Sequence, residues 1–312
     1  MNIALDMMGG DFAPDELVKG VRDYISEKTP ALLSLIGDKQ QLMPLIEQYV
    51  IPAHNYRIIP SKEVIGMHEH PMKALKGKPN SSIAIGFDML ASGKTDAFIS
   101  AGNTGAMLIG SLFTIKPIEG ILRPTIGTIV PMENGSTGLL LDVGANADCK
   151  AEHLDQFAIL GSLYAQYILG IEKPRVGLIN IGEEEGKGNV LAQATYPLLK
   201  ANKQIHFIGN VEGRDVFLDR ADVLVCEGFT GNVILKLAES LHGIMERQHV
   251  HTEYFDRFNF EDYGGTPVLG VNKPVIIGHG ISRAKAYKNM LVLAQKMITT
   301  KLLEKMASAF KS

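Results

Sequence analysis

The chain has 312 residues, 46% of them hydrophobic, with two cysteines and a formal net charge of −3 from 31 basic and 34 acidic side chains. That apolar content suffices for one large core or two modest lobes and is too high for a disordered chain. The even charge balance, with no Lys/Arg stripe, argues against nucleic-acid binding, and no apolar run reaches the length of a membrane span.

From the N-terminus, short apolar runs alternate with amphipathic segments of helical period. "NIALDM" precedes "DELVKGVRDYI", "ALLSLIG" precedes "KQQLMPLIEQY", and "DAFISAG" precedes "GAMLIGSLF". Repeated strand-then-helix units imply a mostly parallel sheet with helices on both faces. In the middle, "PTIGTIVPM" and "STGLLLDVGAN" flank "ENG", which reads as a hairpin turn and predicts an antiparallel element near 125–143. The second half resumes the alternation: "RVGLINIG" with "NVLAQATYPLLK", "IHFIGN" with "GRDVFLD", "DVLVCEG" with "NVILKLAESL", then "PVIIGHG" and a closing helix from about Ser282. No linker or internal repeat divides the chain. The expectation is a single α/β unit over 1–312, either one compact body or two lobes around a shared cleft.

Cys149 and Cys226 lie far apart in unlike contexts, so neither a disulfide framework nor a metal cluster is expected. The N-terminus enters an apolar strand with no basic segment or small-residue cleavage site, which fits a cytoplasmic protein with at most peripheral membrane contact.

The strand exits carry the functional signal. In open α/β sheets ligands bind beyond the carboxyl ends of the strands. Seven exits here are rich in Gly, Asn and Asp: "DMMGGD", "SAGNTG", "DVGAN", "NIGEEEGKGN", "GNVEGRD", "CEGFTGN" and "GHGIS". Glycine permits close backbone approach, and Asn or Thr caps the next helix, leaving its first N–H groups directed at an anion. Any one such loop is ordinary α/β turn chemistry; seven together point to a cleft for an anionic ligand. No GxGxxG follows the first strand, "GEEEGKG" lacks the spacing and hydroxyl of a Walker A loop, and no GxSxG or HExxH occurs.

These loops, with "RPT" and "YGGTPVLGV" added, resemble in order and over nearly the whole chain the bacterial phosphate acyltransferases that act on acyl carrier protein in membrane phospholipid synthesis. The resemblance implies a fold similar to isopropylmalate dehydrogenases and phosphotransacetylases, and a homodimer without metal or nicotinamide cofactor. It also implies conversion of acyl-ACP and inorganic phosphate to acyl phosphate, which a membrane acyltransferase would consume downstream. Many relatives carry a longer helical insertion where this chain runs only from about Glu239 to Tyr263. Membrane docking by an apolar hairpin there is therefore not carried over. The rival readings are a phosphotransacetylase acting on short-chain acyl-CoA and a non-catalytic acyl-phosphate or ACP binding module.

Acyl transfer from a thioester to phosphate needs positioning and oxyanion stabilisation more than acid help, because a thiolate of pKa ~8.5 leaves readily. Lys187, between Gly186 and Gly188, is the candidate phosphate-binding ammonium, and Glu183 and Glu184 match the family motif. Asn232 is the candidate oxyanion donor, with Thr230 either touching substrate or capping the helix. Asn103, Thr104 and Asn146 are candidate anion ligands, with capping the rival role for the first two. Asp11 would orient a cation. Arg123 and Arg214 are phosphate or phosphopantetheine clamps or else structural ties. His279 protonates the departing thiolate or merely satisfies loop carbonyls. Cys226 is core, or in the rival mechanism carries the acyl group before phosphate attacks. His242, His249 and His251 show no metal-ligand pattern and are expected at the surface.

Overall fold

The computed structural model describes residues 1–27 and 30–311. In chain order the elements begin with β1 (Asn2–Asp6), α1 (Asp15–Ile25), β2 (Leu32–Gly37), α2 (Lys39–Gln48) and β3 (Tyr56–Pro60). Next come α3 (Pro71–Gly77), α4 (Ser82–Ala91), β4 (Ala97–Ser100) and α5 (Thr104–Gly110). The hairpin β5 (Thr125–Pro131) and β6 (Thr137–Leu141) follows, then α6 (Ala151–Tyr164), β7 (Arg175–Asn180), α7 (Val190–Ala201), β8 (His206–Glu212) and β9 (Val223–Val225). The chain closes with α8 (Gly228–Arg247), α9 (Glu253–Asp256), β10 (Thr266–Leu269), β11 (Val275–Ile277), α10 (Ala284–Thr299) and α11 (Leu302–Ala309).

Two compact units result, one from Met1–Pro117 with Phe260–Leu303, the other from Ile118–Asn259 with Glu304–Ser312. In the first, the strands run in the order β3-β2-β1-β4-β11-β10, parallel except for the β10–β11 pair. Every position of β4 and all but the first of β1 are buried, which requires cover on both faces of the sheet. Helix α1 supplies part of that cover through Leu17, Val18, Val21 and Tyr24, and Tyr24 donates its hydroxyl to Gln295 on α10 at 2.6 Å. Each such fully buried side chain contributes roughly 1.5–3 kcal/mol.

In the second unit the order is β5-β6-β9-β7-β8, parallel except for the β5–β6 hairpin. The antiparallel element expected near 125–143 is this hairpin, in register from Gly127 opposite Leu141 to Pro131 opposite Thr137. The Asn134 side chain accepts from the Ser136 N–H within its turn. Two features depart from the sequence reading. "GRDVFLD" forms only a short 3-10 turn at Gly213–Asp215, not a helix. Its apolar residues Val216, Phe217 and Leu218 are consecutive and offer no helical stripe, and Val216 is buried. "TPVL" adds the antiparallel strand β10, a segment to which the sequence reading assigned no element. Among the described residues no helix is long and apolar enough to cross a membrane.

Candidate active site

In the second unit β6, β7, β8 and β9 run parallel, so their four Gly/Asn-rich exits share one edge of the sheet. The β6 exit is organised by Asp142, which is fully buried. Its carboxylate accepts from the backbone N–H groups of Ile126 (3.2 Å), Ala145 (3.2 Å) and Asn146 (2.6 Å) and from Asn146 Nδ2 (3.0 Å). Asn146 also donates to the Pro124 carbonyl at 2.8 Å, so its amide ties two loops together. Its backbone carbonyl accepts from Gly228 N–H at 2.8 Å, which seats the start of α8. Arg123 donates to the Asp148 carbonyl at 2.8 Å, the structural tie weighed above, with its side chain otherwise exposed.

At the β9 exit the cap of α8 is Glu227. Its Oε1 accepts from Thr230 N–H at 2.9 Å and from the Thr230 hydroxyl at 2.5 Å. Thr230 is therefore not the cap; it donates to it, because Glu227 stands one residue before the helix and its longer side chain reaches the first turn. Asn232 is exposed on the first turns, its side chain about 3.4 Å from the Cβ position of Gly144, with no side-chain hydrogen bond among the described residues. A free amide beside the β6 exit is what an oxyanion donor requires before substrate arrives.

The β7 exit is closed by Asn180, whose Nδ2 donates to the Lys187 carbonyl at 3.1 Å and whose Oδ1 accepts from Ile181 N–H at 2.8 Å. Gly188 has φ +97°, and a Cβ there would lie 2.3 Å from Asn180 Oδ1, so only glycine closes this loop. Asn189 then caps α7 by accepting from Ala192 N–H at 2.8 Å. Lys187 lies 4.0 Å from Glu184 with its side chain 52% exposed. Glu183 pairs with Arg220 at 2.9 Å instead of with the lysine, and Glu185 pairs with Lys200 at 2.8 Å. At the β8 exit Arg214 forms an ion pair with Glu212.

A cavity of about 900 Å³ opens among these exits. Leu154, Leu178, Leu191 and Ile234 supply apolar wall, while Asn180, Glu212, Arg214, Glu227 and Thr230 supply polar groups. Volume and mixed lining suit a ligand with an apolar arm and a polar end. Of the sequence candidates, Arg214 and Thr230 reach this cavity, and Lys187 does not line it. Cys226 also borders it but is buried, and burial together with the carboxylates of Glu227 and Asp142 raises its thiol pKa well above the ordinary value. It is held as a neutral thiol and is a poor nucleophile. Burial likewise pushes Cys149 up to about 12.

In the first unit, β1, β4 and β11 run parallel and their exits meet. Buried Asp6 accepts from Ser100 Oγ at 2.6 Å and Met8 N–H at 3.0 Å; burial raises its carboxyl pKa despite these bonds. Asp11 donates its N–H to the Gly280 carbonyl at 2.8 Å and keeps an exposed carboxylate. Asn103 is fully committed. Its Oδ1 caps α5 at Ala106 N–H (3.0 Å), and its Nδ2 donates to the carbonyls of Gly66, Met67 and Glu69. Capping, the rival role, is what this buried side chain performs, while Thr104 at the first position of α5 is exposed. His279 is half-buried, stacked 5.0 Å from the Phe260 ring, with Nδ1 3.5 Å from Ile281 N. His249 is exposed and His242 half-buried; exposed His251 lies 3.3 Å from Asp256 and 3.8 Å from Glu246.

Sequence reasoning missed Asp142, Asn180, Glu227 and Arg220. Glu227 carried a signal, a carboxylate three residues ahead of a threonine at a helix start; the other three are visible only through their partners.

Residues 1–249 match the fatty acid synthesis protein family. The chain is 43% identical to the "Phosphate acyltransferase" of Dictyoglomus turgidum over 96% of its length and 94% of that protein. It is 43% identical to that of Aquifex aeolicus over 100% and 97%. In fold it is similar to a phosphotransacetylase from Streptococcus pyogenes (TM-score 0.66, 18% identity, 96% and 94% covered). A branched-chain phosphotransacylase from Enterococcus faecalis is comparably similar (TM-score 0.64, 14% identity, 96% and 99% covered). With matched sequence along its whole length and the same strand-exit geometry that its glycine-rich loops anticipate, the chain belongs to the fatty acid synthesis protein family, alongside the phosphate acyltransferases.

Proposed function

We propose that this chain transfers a fatty acyl group from acyl carrier protein to inorganic phosphate, giving acyl phosphate for membrane phospholipid synthesis. A phosphate oxygen attacks the thioester carbonyl carbon, the carbonyl oxygen becomes an oxyanion, and the C–S bond breaks to release the carrier's thiolate. Asn232, with its unengaged amide beside the β6 exit, donates to the oxyanion. Lys187 brings its ammonium to phosphate on a flexible stem, Arg214 contributes charge from the cavity wall, and Thr230 adds a polar contact. Asp11, Thr104, Arg123, Asn146, Glu183 and His279 are assigned to substrate binding, Asn146 through the loop it ties and Glu183 through Arg220. Asn103 acts through the α5 cap. No metal or nicotinamide cofactor takes part in this scheme.

The observation that carries the reading is the meeting of Arg214 and Thr230 on one partly apolar cavity, in a chain 43% identical to phosphate acyltransferases over at least 96% of its length. The buried neutral thiol of Cys226 supports direct transfer over an acyl-cysteine intermediate.

Helix α8 supports the homodimer. Its buried residues are only Gly228 and Gly231, while Phe229, Val233, Leu237, Leu241 and Ile244 form an exposed apolar stripe at helical spacing. The stripe calls for a cover, and a second copy is the one we assign. We place the enzyme in the cytoplasm, with at most peripheral membrane contact, handing acyl phosphate to a downstream membrane acyltransferase.

Purified protein incubated with long-chain acyl-ACP and phosphate should yield an acyl hydroxamate on trapping with hydroxylamine, and acyl-ACP should outcompete acetyl-CoA. Preference for acetyl-CoA would make it a phosphotransacetylase, as the fold similarity allows; no hydroxamate from either donor would leave a binding module.

A further inference from the structure

The loop after β8 carries a group of carboxylates that the acyl-transfer scheme leaves unexplained. Asn210 and Glu212 stand two residues apart on β8 and so face the same side of the strand. Two oxygens here are buried and without a partner among the described residues, Asn210 Oδ1 and Asp215 Oδ2, while Glu212 Oε2 meets only the Arg214 guanidinium. All three are acceptors. Asp215 is only 7% exposed, and burying an ionised carboxylate without a partner is costly.

One carboxylate oxygen from each of Glu183, Glu212 and Asp215 lies within 4.8 Å of the other two. An ion at the centre of such a group lies at most about 2.8 Å from each oxygen, close to the roughly 2.3–2.6 Å of a calcium–oxygen bond. The surrounding cations do not complete the group. Arg220 reaches Glu183 at 2.9 Å with half its side chain in solvent. Arg214 meets Glu212 at Oε2 as an ion pair, with most of its own side chain in solvent. Among the described residues neither arginine forms an ion pair with Asp215. Glu246, His251 and Asp256 are equally close together, but all three are exposed and none holds an orphaned buried atom.

We propose that Glu183, Glu212 and Asp215 bind one hard divalent cation. An all-oxygen donor set selects Mg²⁺, Ca²⁺ or Mn²⁺ over zinc. The ion is structural: it pins the β8 exit, which carries Arg214, to the β7 exit, which carries Lys187. Asn210 already links the two by donating to the Glu184 carbonyl at 2.8 Å.

The test uses the full chain, stripped with EDTA and titrated with Mn²⁺ while free Mn²⁺ is followed by electron paramagnetic resonance. The expected result is one Mn²⁺ per chain, displaced by Mg²⁺ or Ca²⁺, with a raised melting temperature for the loaded protein. Asp215→Asn should weaken binding at least about tenfold. Glu183→Gln, at an exposed side chain that leaves the fold intact, should weaken it measurably and decides the matter if Asp215→Asn does not fold. Absence of stoichiometric binding to the wild type, or equal affinity in the folded variants, overturns the site.

Discussion

Replacing Gly231 by alanine tests whether the start of α8 is pinned against the β6 exit. A Cβ at Gly231 would stand 1.9 Å from the Asp142 carbonyl oxygen, 2.9 Å from its carbon and 3.1 Å from Cys226 Sγ. Real Cβ contacts do not fall below 3.0 Å, so the helix start must retreat by at least about 1 Å. The opposing backbone cannot yield, because Asp142 is held by its own N–H to the Cys226 carbonyl at 3.0 Å and by the donors that converge on its carboxylate. Retreat strains the Gly228–Asn146 bond and the Glu227 cap. Overpacking of about 1–3 kcal/mol and a hydrogen bond of about 1 kcal/mol outweigh the helix-propensity gain of about 1 kcal/mol, a net loss of roughly 1–3 kcal/mol. Asn232 moves with the helix, and a displacement of about 1 Å at a reacting group lowers turnover about 10²-fold. Gly243→Ala is the control on the same helix. Its Cβ would meet only the flexible Arg247 guanidinium at 3.3 Å, so it should raise stability by up to about 1 kcal/mol. Urea midpoints and hydroxamate yields of the two variants decide the point. A Gly231→Ala protein as stable and active as the wild type would refute the pinning.

Asn232→Ala should lower kcat by about 10²–10³-fold with an unchanged urea midpoint, since among the described residues the side chain has no hydrogen bond to lose; normal turnover would remove it as oxyanion donor. Lys187→Ala should raise the KM for phosphate while leaving folding intact, because its side chain is 52% exposed and its ammonium 4.0 Å from Glu184; an unchanged phosphate dependence would end its role. Cys226→Ala should retain turnover, and mass spectrometry of the wild type under acyl-ACP should show no acylated cysteine. His153 accepts the Lys150 N–H at 3.0 Å at the start of α6, and burial with the Arg123 charge lowers its pKa. The folded state thus favours neutral imidazole. Its contribution is present above the ordinary histidine value near ~6.5 and is lost as pH falls below it. Hydrogen exchange at the α6 N-terminus should quicken across that window, and His153→Gln should flatten the dependence.

Local pattern made much of this protein legible from its residues alone. Strand-helix alternation anticipates the parallel ladders, and "ENG" between two apolar runs anticipates the β5–β6 hairpin. The Gly/Asn-rich exits lie where parallel strands must end, on one edge of each sheet. Those features follow from periodicity and turn chemistry, which act over a few residues.

Which partner each polar side chain takes was decided only by the fold. Asn103 caps α5 and fastens three carbonyls, Glu227 caps α8 ahead of Thr230, and Glu183 turns to Arg220 across 37 residues of sequence. The triplet at 183–185 shows the limit plainly, since three adjacent identical acids meet Arg220, Lys187 and Lys200. Backbone propensity is set by neighbours along the chain. A carboxylate or amide takes whichever donor or acceptor lies within about 3 Å in space, a distance that only the folded chain determines.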